Sequence, residues 1–357
     1  MAAGGSQGSS VARQRLGKVL LLVGSLGLSL VAGEFVVRLW EAKQENQVRP
    51  WPGLSPEMRG LPELKGMFAL TKPNQKGVFK RAIFRTNRDG FRGPDYERVP
   101  PEGTYRVVLV GDSFTMGSGV DEEDTYAARL AGMLNVADGS RRHEVLNLGV
   151  GGFNLRASVG RLQRTGVHYQ PNLLIYGWTP NDIEGPSYRN TFQPKRGWMG
   201  SALWNRLRNW WESFRRAPGT YRYELDENYF RNPGAWNYFL QSLDDFARIV
   251  AEREVCGVVF LHTHLLWLAS PNPAQPFEDA VAQAAEARGL FVIRSFPDFE
   301  GLPEKTLWIG PGDSHPNERG HEILATALFR GLEALPPRCG LALPESISPI
   351  GSRESAP

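Results

Sequence analysis

The chain has 357 residues, 41 Lys and Arg against 38 Asp and Glu, and 41% hydrophobic residues. That composition belongs to a folded protein and excludes a disordered, collagenous or multi-span membrane chain. A net charge of +3 with no dense basic stripe leaves no electrostatic footprint for nucleic acid. Two cysteines, Cys256 and Cys339, are too few for a disulfide framework or a cysteine-based zinc site. The six histidines show no metal-ligand pairing at helical spacing, so no metal or cofactor is expected.

At the N-terminus, Arg13, Arg15 and Lys18 precede an uncharged run from Val19 to Gly33, which resumes after Glu34 with Phe35, Val36 and Val37. Val19 to Trp40 reaches the roughly 20 residues that a bilayer span needs, with Trp40 suited to the headgroup zone. The reading is a short segment 1–18 and an uncleaved signal-anchor over 19–40; a cleaved signal peptide and a buried core helix are the alternatives. The basic flank predicts that the N-terminus stays inside. The rest of the chain is then extracytoplasmic, held on the inner (plasma) membrane by a single pass. Pro50, Pro52, Pro56, Pro62 and Pro73 predict a semi-extended stalk, and Gly77 to Pro94, with the turn pair Asp89–Gly90, predicts a hairpin or arm. Stalk and arm together occupy 41–104.

Five short apolar runs follow: Arg106 to Val110, Val145 to Leu148, Leu173 to Tyr176, Gly257 to Leu261 and Leu290 to Ile293. Each is nearly continuous in apolar character, as strands buried on both faces are. Between and after them lie helical patterns over Asp121 to Leu134, Pro276 to Arg288 and Pro316 to Leu335. The alternation predicts a three-layer α/β domain over 105–335 around a parallel sheet of about five strands. The proline-rich tail 336–357 is expected to be disordered. Within the domain, 184–237 is an unexpected insert. It carries Trp198, Trp204, Trp210, Trp211, Trp236 and Phe214 among Arg206, Arg208, Arg215 and Arg216. Positions 203, 207, 210, 211 and 214 form an apolar stripe at helical spacing. The insert reads as an amphipathic helix on the body or as a lid or membrane-contacting surface near the catalytic rim.

Ligands of such sheets bind at the carboxyl ends of the strands. The first strand is followed by Gly111-Asp112-Ser113-Phe114, the second by Gly149-Val150-Gly151-Gly152, and the third by Gly177-Trp178-Thr179-Pro180-Asn181-Asp182. Asp313-Ser314-His315-Pro316 stands before the last helix. A serine attacks well only when an oriented histidine takes its proton, and the tetrahedral oxyanion needs fixed donors. With Pro316 at a first helical position, His315 is expected at a helix N-terminus, where an anionic neighbour has to offset the unfavourable dipole. His262, His264 and His321 read as structural.

These four blocks, in this order, resemble those of the SGNH hydrolases, also called GDSL esterases and lipases. The resemblance covers roughly Tyr105 to Leu335 and implies a flavodoxin-like fold. It also implies Ser113 as nucleophile, His315 and Asp313 as its triad partners, and an oxyanion hole from Ser113, Gly152 and Asn181. Two departures stand out. The last block reads Asp-x-His where the family often has Asp-x-x-His, which leaves a backbone carbonyl or Asp298 as other partners for His315. Thr179 also stands where the third block usually has glycine. The resemblance further implies ester hydrolysis through an acyl-enzyme, with an O-acetylated envelope glycan or a lipid ester as substrate. The alternatives are an O-acyltransferase on an envelope polysaccharide and a catalytically silent binding or assembly protein.

Overall fold

The computed structural model describes residues 6–46, 71–183, 201, 203–204 and 220–341. Residues 47–70 of the predicted stalk, most of the insert and the tail 342–357 lie outside the described residues. Of the insert's singled-out residues, Trp198, Trp210, Trp211, Phe214, Arg206, Arg208, Arg215 and Arg216 do so too. The chain forms two compact units, one of Met1–Pro50 with Pro186–Tyr223 and one of Trp51–Gly185 with Glu224–Pro357.

In the first unit helix α1 runs over Ser6–Asn46. Within its stretch Arg15–Leu39 the most apolar window has a mean hydropathy of 2.1 and is unburied, and the stretch is long and apolar enough to cross a membrane. Glu34 pairs with Arg38 at 2.7 Å and accepts hydrogen bonds from Ser201 Oγ at 2.6 Å and from the Leu203 N–H at 3.0 Å.

The second unit opens with a two-stranded hairpin, β1 (Lys76–Phe79) and β2 (Ala82–Arg85), turning at Lys80 and Arg81. The sequence placed the turn at Asp89–Gly90 instead. That pair forms a separate turn, in which the Gly90 N–H bonds to the Asn87 carbonyl. The main sheet follows: β3 (Thr104–Gly111), β4 (Arg142–Asn147), β5 (Leu173–Trp178), β6 (Cys256–Leu261) and β7 (Phe291–Arg294). All pairs are parallel, in the order β4-β3-β5-β6-β7. This is the doubly wound, flavodoxin-like arrangement, with helices on both faces.

Val107 to Val110 are wholly buried, each worth about 1.5–3 kcal/mol relative to exposure. Successive side chains of a strand alternate between faces. Val107 and Leu109 pack with Leu130 and Leu134 of α3 (Tyr126–Ala137) and with Leu324 and Leu328 of α9 (Glu318–Glu333). A second pair of helices, α4 (Leu155–Arg164) and α6 (Pro233–Glu252), also pack on one another. Helices α3, α4, α6 and α9 each start where a polar side chain accepts an early backbone N–H. Thr125 bonds Ala128 at 3.2 Å, Asn154 bonds Ala157 at 3.1 Å and Asn317 bonds Gly320 at 3.1 Å.

Several sequence expectations are corrected here. The acidic stretch from Asp121 does not open a helix: Glu122–Asp124 makes a 3-10 turn, and α3 begins after the Thr125 cap. The last helix begins at Glu318 rather than Pro316, because Asn317 supplies the cap. Asp313–Pro316 is strand β9, paired antiparallel with β8 (Trp308–Gly310). His315 therefore stands on a hairpin strand, and the helix-dipole argument for its anionic partner falls away. Trp236 belongs to α6 and stacks on Phe239, so the insert's last residues are part of the body. The expected tail disorder does not extend to residues 336–341. There, Pro337–Cys339 forms a 3-10 turn, Leu341 is buried, and the Cys339 carbonyl accepts from the Tyr105 hydroxyl at 2.6 Å. The two cysteines, 83 residues apart, close one disulfide that ties this turn to the start of β6.

Candidate active site

The sheet order explains how the chemical residues meet. β3, which delivers Ser113, lies between β4 and β5, so the loops after its two neighbours flank the serine. Ser113 begins α2 (Ser113–Met116), a single short helix capped by Asp112, whose Oδ1 accepts from the Phe114 N–H at 2.8 Å. On the β4 side the Asn147 side chain clamps the turn: its amide donates to the Thr115 carbonyl at 2.7 Å and its oxygen accepts from the Gly149 N–H at 3.1 Å. A Cβ on Gly149 would stand 2.5 Å from the Met116 nitrogen, so only glycine permits this approach. Gly151 lies against Ser113, where a Cβ would be 3.7 Å from the serine Cβ, and its N–H points to Met116 Sδ at 3.4 Å. Gly152, at φ +74°, uses its N–H for no hydrogen bond within the described residues. The Ser113 N–H likewise has no such partner.

On the β5 side, Asp182 Oδ2 accepts from the Thr179 N–H at 3.0 Å and from the Tyr176 hydroxyl, fixing the turn that carries Asn181. Thr179, the residue that replaces the usual glycine, links two others. Its hydroxyl lies 2.7 Å from Asn181 Oδ1 and 2.9 Å from Asp112 Oδ2. One hydroxyl proton cannot be given to both acceptors at once, so Thr179 ties Asp112 and Asn181 into one hydrogen-bonded group. Burial pushes the Asp112 carboxyl above its ordinary range.

His315 comes to the serine from the β8–β9 hairpin. Its Nε2 lies 2.8 Å from Ser113 Oγ, and its Nδ1 bonds Asp313 Oδ1, which also accepts the His315 backbone N–H at 3.2 Å. The Asp-x-His spacing thus works through a strand: residues two apart share one face, and carboxylate and ring stand side by side. Burial pushes Asp313 up, but the bonds to His315 and to Lys80 outweigh it and hold the carboxyl well below the usual range. Asp298, the other carboxylate considered for His315, pairs with Arg330 instead.

Two further basic residues join the site without having been singled out from the sequence. Lys80 Nζ lies 2.7 Å from Asp313 Oδ2 and 3.1 Å from His315 Nδ1. Arg92 is buried beneath the loop that carries Ser113, donating to the carbonyls of Met116 at 3.1 Å, Gly117 at 2.8 Å and Val120 at 3.0 Å. Both precede β3, in the segment that reads as an arm outside the domain, and no local signal marks either. Of the three histidines read as structural, His321 is buried and its Nδ1 accepts the Tyr126 N–H at 3.2 Å. His262 is enclosed by Phe114, Tyr126 and Phe260, and burial lowers it to about 3. His264 stacks on Trp267; burial and the proximity of His315 lower it to about 4. Among the described residues, no group of three or more His, Cys, Asp or Glu could hold a metal ion.

A family model described as GDSL-like Lipase/Acylhydrolase matches residues 109–323, more than half of the chain. The chain belongs to the GDSL-like lipase/acylhydrolase family. It is accordingly an ester-hydrolysing enzyme of the SGNH superfamily. No curated protein matches the sequence. Similar solved structures include a catalytic mutant of Axe2, an acetylxylan esterase from Geobacillus stearothermophilus. It is 15% identical, with a TM-score of 0.43, over 64% of this chain and 94% of that one. LAE5, an alpha/beta hydrolase enzyme from the metagenome of Lake Arreo, Spain, is 17% identical with a TM-score of 0.43 over the same shares. TesA is 15% identical with a TM-score of 0.41, over 64% of this chain and 98% of that one.

Proposed function

We propose that this GDSL-family enzyme cleaves esters through an acyl-enzyme on Ser113, with His315 as the base and Asp313 as its orienting anion. The observation that carries this reading is the unbroken line of hydrogen bonds from Asp313 through His315 to Ser113 Oγ. The N–H groups of Ser113 and Gly152 and the Asn181 amide are the oxyanion donors. Their support is that the neighbouring Gly149 and Gly151 N–H groups already have partners, whereas these donors have none among the described residues. In the first step His315 takes the serine proton as Oγ attacks the ester carbonyl. It then returns the proton to the leaving alkoxide, and water repeats the sequence on the acyl-enzyme.

The protein works outside the cytoplasm, anchored by α1 as an uncleaved single-pass helix. The basic flank of the apolar stretch supports this orientation, and the Cys256–Cys339 disulfide suits an oxidising compartment. The substrate is an O-acetylated envelope glycan or a lipid ester. The test uses the full chain in detergent. A fluorophosphonate probe should label the wild type and not Ser113→Ala, the labelled species should stay with membranes through carbonate extraction, and nitrophenyl esters of increasing acyl length should separate the two substrate classes. Equal labelling of both proteins would exclude Ser113 as the nucleophile, and release by carbonate would exclude the anchor.

A further inference from the structure

Asp313 uses one carboxylate oxygen for His315: Oδ1 accepts both the ring Nδ1 and the backbone N–H of that residue. Its side chain remains about a quarter exposed at 28%, and the terminal torsion of an aspartate is broad and roughly two-fold. A carboxylate held at one oxygen and wetted at the other can swing out of line with the ring. The second oxygen has its own partner within the protein. It carries the Lys80 ammonium at 2.7 Å, from a residue 233 positions earlier in the chain.

Lys80 is placed there with some care. It occupies the tip of the β1–β2 hairpin at φ +54°, a left-handed conformation that side chains with a Cβ disfavour and that turns usually give to glycine or asparagine. A lysine kept at such a position points to use of its side chain. The hairpin is also fastened on both sides of the catalytic line. Arg81 Nε donates to the Gly119 carbonyl at 3.1 Å, and the Ile83 N–H donates to Asp121 Oδ1 at 2.7 Å, both in the segment that follows the Ser113 helix. Arg81 also pairs with Glu318, in the first turn of α9 and three residues beyond His315. The tip is thus referenced to the segments carrying the nucleophile and the base.

We propose that Lys80 is a positioning residue of the triad: its ammonium clamps Asp313 Oδ2 and so holds Oδ1 in line with His315 Nδ1. The inference rests on the reading of Ser113, His315 and Asp313 given above. It assigns a catalytic purpose to the hairpin, which would otherwise be only an appendage before the sheet. It also explains how the shortened Asp-x-His spacing keeps a rigid triad: the strand supplies parallel side chains, and the lysine supplies the second fixed point. The same ammonium stands 3.1 Å from the ring nitrogen and opposes the imidazolium that forms during attack. The proposal therefore requires positioning to outweigh repulsion.

The experiment measures the rate at which a fluorophosphonate modifies Ser113 in the full-length protein in detergent, a readout of nucleophile activation that needs no knowledge of the substrate. Lys80→Met should slow modification by about tenfold or more, the scale of one hydrogen bond to a charged group. Lys80→Cys should be equally slow. Because Cys256 and Cys339 are paired, only the introduced thiol is open to alkylation. Treatment with 2-bromoethylamine restores an ammonium at nearly the lysine length and should recover most of the rate, whereas iodoacetamide should not. Unchanged or faster modification in Lys80→Met, or rescue by both reagents or by neither, would overturn the proposal. If Lys80→Met does not fold, the two alkylated forms of Lys80→Cys decide the question alone. Absence of labelling on Ser113 in the wild type would instead overturn the underlying assignment of the nucleophile, a separate and distinguishable failure.

Discussion

Replacing Thr179 by valine keeps the shape of the side chain and removes only its hydroxyl, which makes it a clean probe of the chain from Asp112 to Asn181. Two bonds are lost together, one of 2.9 Å to Asp112 Oδ2 and one of 2.7 Å to Asn181 Oδ1. Their consequences differ. Asp112 is 2% exposed, so its stranded carboxyl costs about 1–3 kcal/mol of stability, the penalty for a buried polar group left unmade. Asn181 is only half-buried and water can replace the lost donor, so its cost is paid in orientation instead. A hydrogen bond worth about 1–1.5 kcal/mol holds the amide the right way round, and its loss should lower kcat about 5- to 10-fold. The ceiling is the removal of a whole oxyanion donor, about 10²–10³-fold. The assay is hydrolysis of p-nitrophenyl acetate by the full-length protein, with chemical denaturation in parallel. kcat should fall while KM changes little, because the amide meets its charge only in the transition state. Thr179→Ser, which restores the hydroxyl, should recover most of the activity. A valine variant with wild-type kcat would refute the idea that this hydroxyl aims Asn181, and a serine variant as slow as the valine one would refute it too.

Asp112→Asn should preserve activity at neutral pH to within a few fold, since an amide there still bonds Thr179 Oγ1 and its oxygen still caps Phe114. Because the folded state raises the Asp112 pKa, it binds this proton more tightly than the unfolded chain does. The stability so gained is complete below the ordinary carboxylate range, near 3.9, and is lost as pH rises toward the raised folded value. Urea unfolding followed between pH 4 and 8 should therefore fall less steeply with pH in Asp112→Asn than in the wild type, and parallel curves would contradict a raised Asp112 carboxyl. Reducing the Cys256–Cys339 disulfide, which spans 83 residues, should lower stability by about 2–5 kcal/mol through release of loop entropy in the unfolded chain. Denaturation midpoints measured with and without a phosphine reductant check this, and coincident midpoints would show that the bond adds nothing.

The sequence by itself determined the parts of this protein whose signals are local. Runs such as Val107 to Val110 are apolar without interruption because both faces of the sheet are covered, and that pattern is legible in four consecutive residues. The chemistry at the strand ends is legible for a related reason. In a parallel sheet every strand delivers its following loop to the same edge, so order along the chain becomes proximity in space, and Ser113, Gly152 and Asn181 could be assembled on paper. The apolar length of α1 needed only counting. Tertiary structure decided what depends on partners distant in sequence. Whether Asp313 and His315 sit at a helix start or on a strand turned on Asn317 taking the cap and on β8 being available to pair. The reach of Lys80 to Asp313 and of Arg92 to the carbonyls below Ser113 depends on how the hairpin and its following turns settle against the sheet. The pairing of Cys256 with Cys339 depends on the C-terminal turn folding back over β6. A residue's own neighbours in sequence set its backbone preferences, whereas an ammonium 233 residues from its carboxylate is placed only when the packing between them is complete.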